Sequence, residues 1–321
     1  MNRRQFLKDA AGLANAAAFY GIVQDVSPQS CPVTLLAMPD YGRDLSTEIA
    51  AVMSRDGLVL KGKKVLLKPN FVEAHPERPI NTHIAVIANA AQACLRLGAA
   101  EVIVGEASGH RRDPWFSVLN PSLRGILDKK VRCVDLNHGD AVSVPNMGHR
   151  TGLPAFYVAR PVVEADVLIS MPKMKTHHWM CVTLSLKNLF GILPGTYYGW
   201  PKNLLHFRGI DNSILDLAGT IKAHYNIIDG VTGMEGDGPI MGKAKHVGAL
   251  VLSPFSLAAD ATAARLMGFD PKKVPYLVQA GRFLPGLRPQ QIVIRGERPN
   301  RFATSFDCPD DFIWMRGGPF F

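Results

Sequence analysis

Lys173 and Lys175 stand two residues apart in the segment Met171-Pro172-Lys173-Met174-Lys175-Thr176-His177-His178. On an extended chain both ammonium groups would face the same way and form a paired positive site. If Thr176 caps a helix running to Phe190, then Trp179, Val182, Leu186 and Leu189 fall on one apolar face, while Thr176, Thr183 and Lys187 share another stripe with Asn188 nearby. Cations placed just before a helix N-terminus meet free backbone N–H groups, and together these favour a bound anion. A solvated basic edge is the alternative reading of such a run. A second signal is Lys68-Pro69-Asn70. It puts a lysine and a turn at the carboxyl end of an apolar run, where α/β sheets meet their ligands. The third is Asp229-Gly230-Val231-Thr232-Gly233-Met234-Glu235-Gly236-Asp237-Gly238-Pro239. Its glycines allow close backbone approach, and its carboxylates could hold a hard cation or act as a base. Rossmann and P-loop spacings are both absent from it.

These side chains need a scaffold, and the hydrophobic pattern supplies one. Short Val/Ile/Leu-rich runs alternate with longer amphipathic segments, which predicts an α/β fold with a mixed or mostly parallel sheet flanked by helices. Strands are expected at 33–37, 64–67, 101–104, 131–135, 166–170, 226–229, 249–252 and 292–294. Helices are expected at 82–97, closed by Gly98, at 211–224 and at 256–267, closed by Gly268. Irregular stretches at 71–81, 105–114, 191–209 and 230–245 follow these elements and are the places for chemistry. One large domain over 31–321 is expected, with two lobes meeting near Pro161 as the alternative.

Asn2-Arg3-Arg4-Gln5-Phe6-Leu7-Lys8 and the small-residue stretch from Ala10 to Val23 resemble a twin-arginine export signal, so residues 1–30 are expected to be a signal peptide and short linker. Export to the periplasm, with the twin-arginine translocation machinery as a partner, follows. The stretch is too short and too rich in Ala and Gly for a stable membrane span. That route carries folded proteins, which leaves room for a cofactor of unknown identity.

The 321 residues hold 36 Lys and Arg against 27 Asp and Glu, a formal charge of +9 that favours an anionic partner. Aromatics are scattered, so the basic, aromatic-interleaved footprint of a nucleic-acid binder is missing. Cys31, Cys94, Cys133, Cys181 and Cys308 are too widely spaced for an iron–sulfur cluster or an all-cysteine zinc site on this chain. Ten histidines include no HExxH pair, although His75, His83 and His110 could converge through their loops.

The ordered motifs are similar to those of the proteins carrying domain of unknown function 362. The resemblance runs through Lys68-Pro69-Asn70, Gly105-Glu106, Pro172-Lys173-Met174-Lys175-Thr176-His177, Thr183, Leu186-Lys187-Asn188-Leu189 and Gly191. It continues in Asp229-Gly230, Met234-Glu235-Gly236, Gly238-Pro239, Gly242 and Asp260. It implies pocket roles for Lys68, Asn70, Lys173, Lys175, Thr176, His177, Thr183, Lys187, Asn188, Asp229 and Gly238. Many relatives carry iron–sulfur modules, which implies redox chemistry for them. This chain lacks those cysteine clusters and would need a separate redox protein. The expectation is therefore an exported α/β enzyme that binds an anionic small molecule and exchanges a proton through Asp229 or His177. The alternative is a non-catalytic periplasmic protein for an anion, a metal or a redox partner.

Overall fold

The computed structural model describes residues 30–109, except 74 and 76, and residues 125–317. The expected signal at 1–30 lies outside these residues but for its last position, as does His110. The strands are β1 (Cys31–Ala37), β2 (Lys64–Pro69), β3 (Glu101–Glu106), β4 (Val131–Asp135), β5 (Ala141–Pro145), β6 (Ala155–Ala159), β7 (Val167–Met171), β8 (Lys173–His177), β9 (Cys181–Thr183), β10 (Tyr225–Glu235), β11 (Lys243–Ser253) and β12 (Ile292–Gly296). The main sheet runs β12-β1-β11-β10-β7-β2-β3-β4, with β8 joined to β10 and β9 joined to β8. Its pairs are parallel except β1/β11, β10/β11 and β8/β9, so the sheet is mixed and mostly parallel, as the alternating pattern requires. Strands β2, β3 and β7 are buried almost throughout, because helices cover both faces of a parallel sheet.

Helix Ile84–Arg96 buries Val86, Ile87, Ala90, Ala91 and Cys94 against the sheet, and the His83 side chain caps it by accepting from Ala85 N. Helix Ser256–Leu266 is buried on nearly every side, which explains its run of alanines. The short helix Arg160–Val163, which holds Pro161, leads into strand β7, which sits mid-sheet between β10 and β2. The main sheet therefore continues past Pro161, while β5 and β6 pair as a separate two-stranded sheet.

Two local expectations fail for identifiable reasons. Residues 176–190 form no continuous helix. Lys173–His177 and Cys181–Thr183 are antiparallel strands, and the helix that follows covers only Ser185–Asn188. The apolar spacing was ambiguous because a strand buried on both faces is also apolar throughout. The left-handed φ of 64° at Cys181 breaks any helix there, and Trp179, first member of the supposed apolar face, is 61% exposed. Residues 230–245 are likewise a long β10–β11 hairpin with a turn at its end. Gly230 and Gly233 serve packing, since a Cβ at either would press on Met174 of β8.

Candidate functional site

Parallel neighbours end on the same side of a sheet, so β2 and β3 deliver Lys68 and Glu106 to one place. Lys68 Nζ donates to Glu106 Oε2 at 2.6 Å, to Asn188 Oδ1 at 2.9 Å and to the Pro69 carbonyl at 2.7 Å. Three donors meet three acceptors, so this ammonium is saturated. Burial pushes Lys68 down and Glu106 up, and each counters the other across the contact. Phe71 N also donates to Glu106 at 3.0 Å. Gly191 passes so close that any Cβ there would overlap Glu106 and Lys68. Asn188 is equally committed: its amide donates to the Lys68 carbonyl and to Ser170 Oγ, both at 3.0 Å.

A cavity of about 550 Å³ opens beside this pair. It is lined by Lys68, Asn70, Lys175, His177, Thr183, Lys187 and Asn188, and also by Glu106, Lys202, His178 and His206. Thr183 stands opposite Lys175 in the β8–β9 register, which brings both to the wall. Phe71, Trp179, Phe190, Ile240 and Met241 give the cavity a broad apolar side.

The four lysines differ sharply. Lys175 Nζ donates to the carbonyls of Ile80 at 2.8 Å and Pro239 at 3.4 Å. Burial, with the charges of Lys187, Lys173 and Lys68, drives it far down toward a neutral amine. Lys202 Nζ donates to Asn137 Oδ1 at 3.0 Å, and burial lowers it to about 7. Its backbone is left-handed, φ 67°, a cost of about 1 kcal/mol for a side chain-bearing residue. Lys187 has no hydrogen-bond acceptor and no carboxylate within ion-pair distance among the described residues. Its Nζ lies 5.2 Å from the Phe190 ring centre, and burial and Lys68 lower it to about 8.

Burial holds two of the wall histidines, His177 and His206, below their ordinary values. His177 is held far below its ordinary value by burial and by Lys187. Its Nδ1 accepts from Trp179 N at 3.1 Å, which places its proton on Nε2. His206 is lowered by burial, and its Nδ1 donates to the Lys202 carbonyl at 2.9 Å. His178 Nδ1 contacts the Gly238 carbonyl at 2.8 Å. Asn70 Oδ1 is buried with no donor.

Four residues expected at the site lie elsewhere. Lys173 turns onto Asp229 at 2.8 Å, and Asp229 also accepts from Tyr41 Oη at 3.1 Å and His83 N at 2.9 Å. This second buried ion pair does not line the cavity. A register shift in the β8–β10 pairing, between Asp229 and Met234, separates Lys173 from Lys175 despite their two-residue spacing. The Thr176 hydroxyl is used by the Gly236 carbonyl at 2.8 Å. Gly238 lets the turn pack on the Thr176 carbonyl, where a Cβ would clash. The carboxylates of the glycine segment also diverge: Glu235 pairs with Lys245 at 3.0 Å, whereas Asp237 is exposed near His178. Among the described residues no group of three His, Cys, Asp or Glu side chains could hold a metal. His83 stacks on Tyr41 with ring centres 3.6 Å apart.

Residues 65–265, which carry every side chain named on the cavity wall, match the family described as "Domain of unknown function (DUF362)". The chain belongs to that family. It is also 28% identical over 259 residues to the "Thylakoid-associated protein sll1697" of Synechocystis sp., covering 76% of this chain and 75% of that protein. No helix among the described residues is long and apolar enough to cross a membrane.

Sequence reasoning missed Glu106, Lys202, His178 and His206 as cavity residues. Glu106 was findable, since a carboxylate closing a buried strand beside the Lys68 strand has the same signature as Lys68 itself. Lys202 carries no periodic signal and is placed only by the folding of 191–209.

Proposed function

We propose that this protein is an exported α/β enzyme that binds a small organic anion in the cavity, between Lys187 and Lys202, and acts on it with His177 and His206 of the wall. One observation carries the reading: among the described residues Lys187 faces the cavity with no carboxylate within ion-pair distance, and buried Lys202 beside it feels Glu106 and Asp135 only through space. Burying a charge without a partner is costly, and a bound anion would supply that partner. Of the carboxylates lining the cavity, Glu106 is paired with Lys68, Glu73 is buried and Asp237 is exposed at the rim. The unmet acceptor of Asn70 and the apolar side formed by Phe71, Trp179 and Phe190 favour an anion with an organic body and a hydrogen-bond donor. His177 Nε2–H is a neutral donor, the form suited to polarising a ligand oxygen near neutral pH. Export rests on Arg3-Arg4 and the stretch behind them.

Isothermal titration with benzoate tests the pocket. We expect saturable binding in the wild type and at least a tenfold loss in a folded Lys187→Met variant. Equal affinity in the two proteins would remove Lys187 from any anion site.

A further inference from the structure

We infer that Lys187 is an amine nucleophile that forms an imine with an aldehyde or ketone carbonyl on the bound anion. This rests on the anion pocket and adds a covalent step to it. Among the lysines facing the cavity, only Lys187 combines access with an uncommitted nitrogen. Lys68 spends three hydrogens on Glu106, Asn188 and Pro69. Lys175 is fully buried and spends two on Ile80 and Pro239. Lys202 is buried and tied to Asn137. Lys187 is only partly covered, lines the cavity, and donates to nothing among the described residues. Its neighbours Leu186 and Ser185 are fixed at the backbone by Asp260, which accepts from their amides at 3.0 and 2.7 Å, so the stem of Lys187 starts from a rigid point.

The local electrostatics suit a free amine. Burial and the nearby Lys68 ammonium bring Lys187 to about 8, so near pH 8 about half of it holds a lone pair. Lys202 Nζ, on the same wall, remains to donate a hydrogen bond to the anionic end of the same molecule. In the step itself the Nζ lone pair attacks the carbonyl carbon to give a carbinolamine. The hydroxyl then leaves as water, carrying both amine hydrogens in the net balance, and a C=N bond takes the place of C=O. No oxidant or reductant is consumed.

The test uses 4-carboxybenzaldehyde as probe, with cyanoborohydride to reduce any imine to a stable secondary amine and peptide mass spectrometry to locate it. We expect labelling concentrated on Lys187, roughly tenfold to a hundredfold faster than on surface lysines at pH 7.5 because far more of it is deprotonated. The rate should rise with a midpoint near pH 8 and be suppressed by benzoate. Lys187→Arg should lose the label, since a guanidinium forms no imine under these conditions. If benzoate binds but the label falls on Lys175, on Lys202 or evenly over the surface, the imine is overturned and the anion pocket stands. If benzoate neither binds nor protects, both fail.

Discussion

Anion affinity should depend on pH in a way set by Lys187 and Lys202. Only their ammonium forms attract a carboxylate, and a bound carboxylate in turn holds them protonated. Affinity is therefore greatest at low pH and falls as pH rises through about 7 and about 8, the values that burial imposes on Lys202 and Lys187. Between pH 6 and pH 9, Lys187 goes from almost wholly protonated to roughly one tenth, and Lys202 from roughly nine tenths to about one hundredth. If Lys187 alone grips the anion, benzoate should bind about tenfold more weakly at pH 9; if both are required, the loss is about a thousandfold, or roughly 4 kcal/mol. Calorimetric titration of benzoate at constant ionic strength across this range distinguishes the two, because the ligand stays ionised throughout. His177 and His206 are already pushed below their ordinary values and should add little above pH 7. Lys187→Met should leave only the step near 7. An affinity that is flat within twofold, or that improves with pH, would refute the claim that unpaired ammonium groups define this pocket.

Other substitutions probe the supports of the site. Lys68→Met should destabilise by about 3–5 kcal/mol in urea unfolding by stranding Glu106, and adding Glu106→Gln should restore much of it; a double variant as unstable as the single one would deny the pair its coupling. Asp229→Asn should cost a similar amount by leaving Lys173 uncompensated, yet keep benzoate affinity in the folded protein, because that pair does not line the cavity. Asp260→Asn replaces one of two acceptors facing the Ser185 and Leu186 amides and should cost about 1–3 kcal/mol; a thermal midpoint unchanged from wild type would contradict those bonds. Gly191→Ala forces a methyl into Glu106 and Lys68 and should lower stability by about 1–3 kcal/mol, measured the same way.

Much of the scaffold is legible in the linear chain. Buried parallel strands announce themselves as unbroken apolar runs, and helix Ile84–Arg96 by its spacing and terminal Gly98, because burial on a sheet demands those patterns locally. Lys68 is legible for the same reason, since the end of such a strand is a defined place. Residues 173–190 are not, because a short hairpin buried on both faces and an amphipathic helix share one apolar spacing, and only pairing with β10 chooses between them. Which lysines are spent and which are free depends on partners 38 to 120 residues away, such as Glu106 and Asn188 for Lys68, and on a register shift that turns Lys173 to Asp229. Residue type along the chain determined that cations and histidines would be present near strand ends. Tertiary packing alone decided which were neutralised, because a buried charge is defined by what lies within a few ångströms of it.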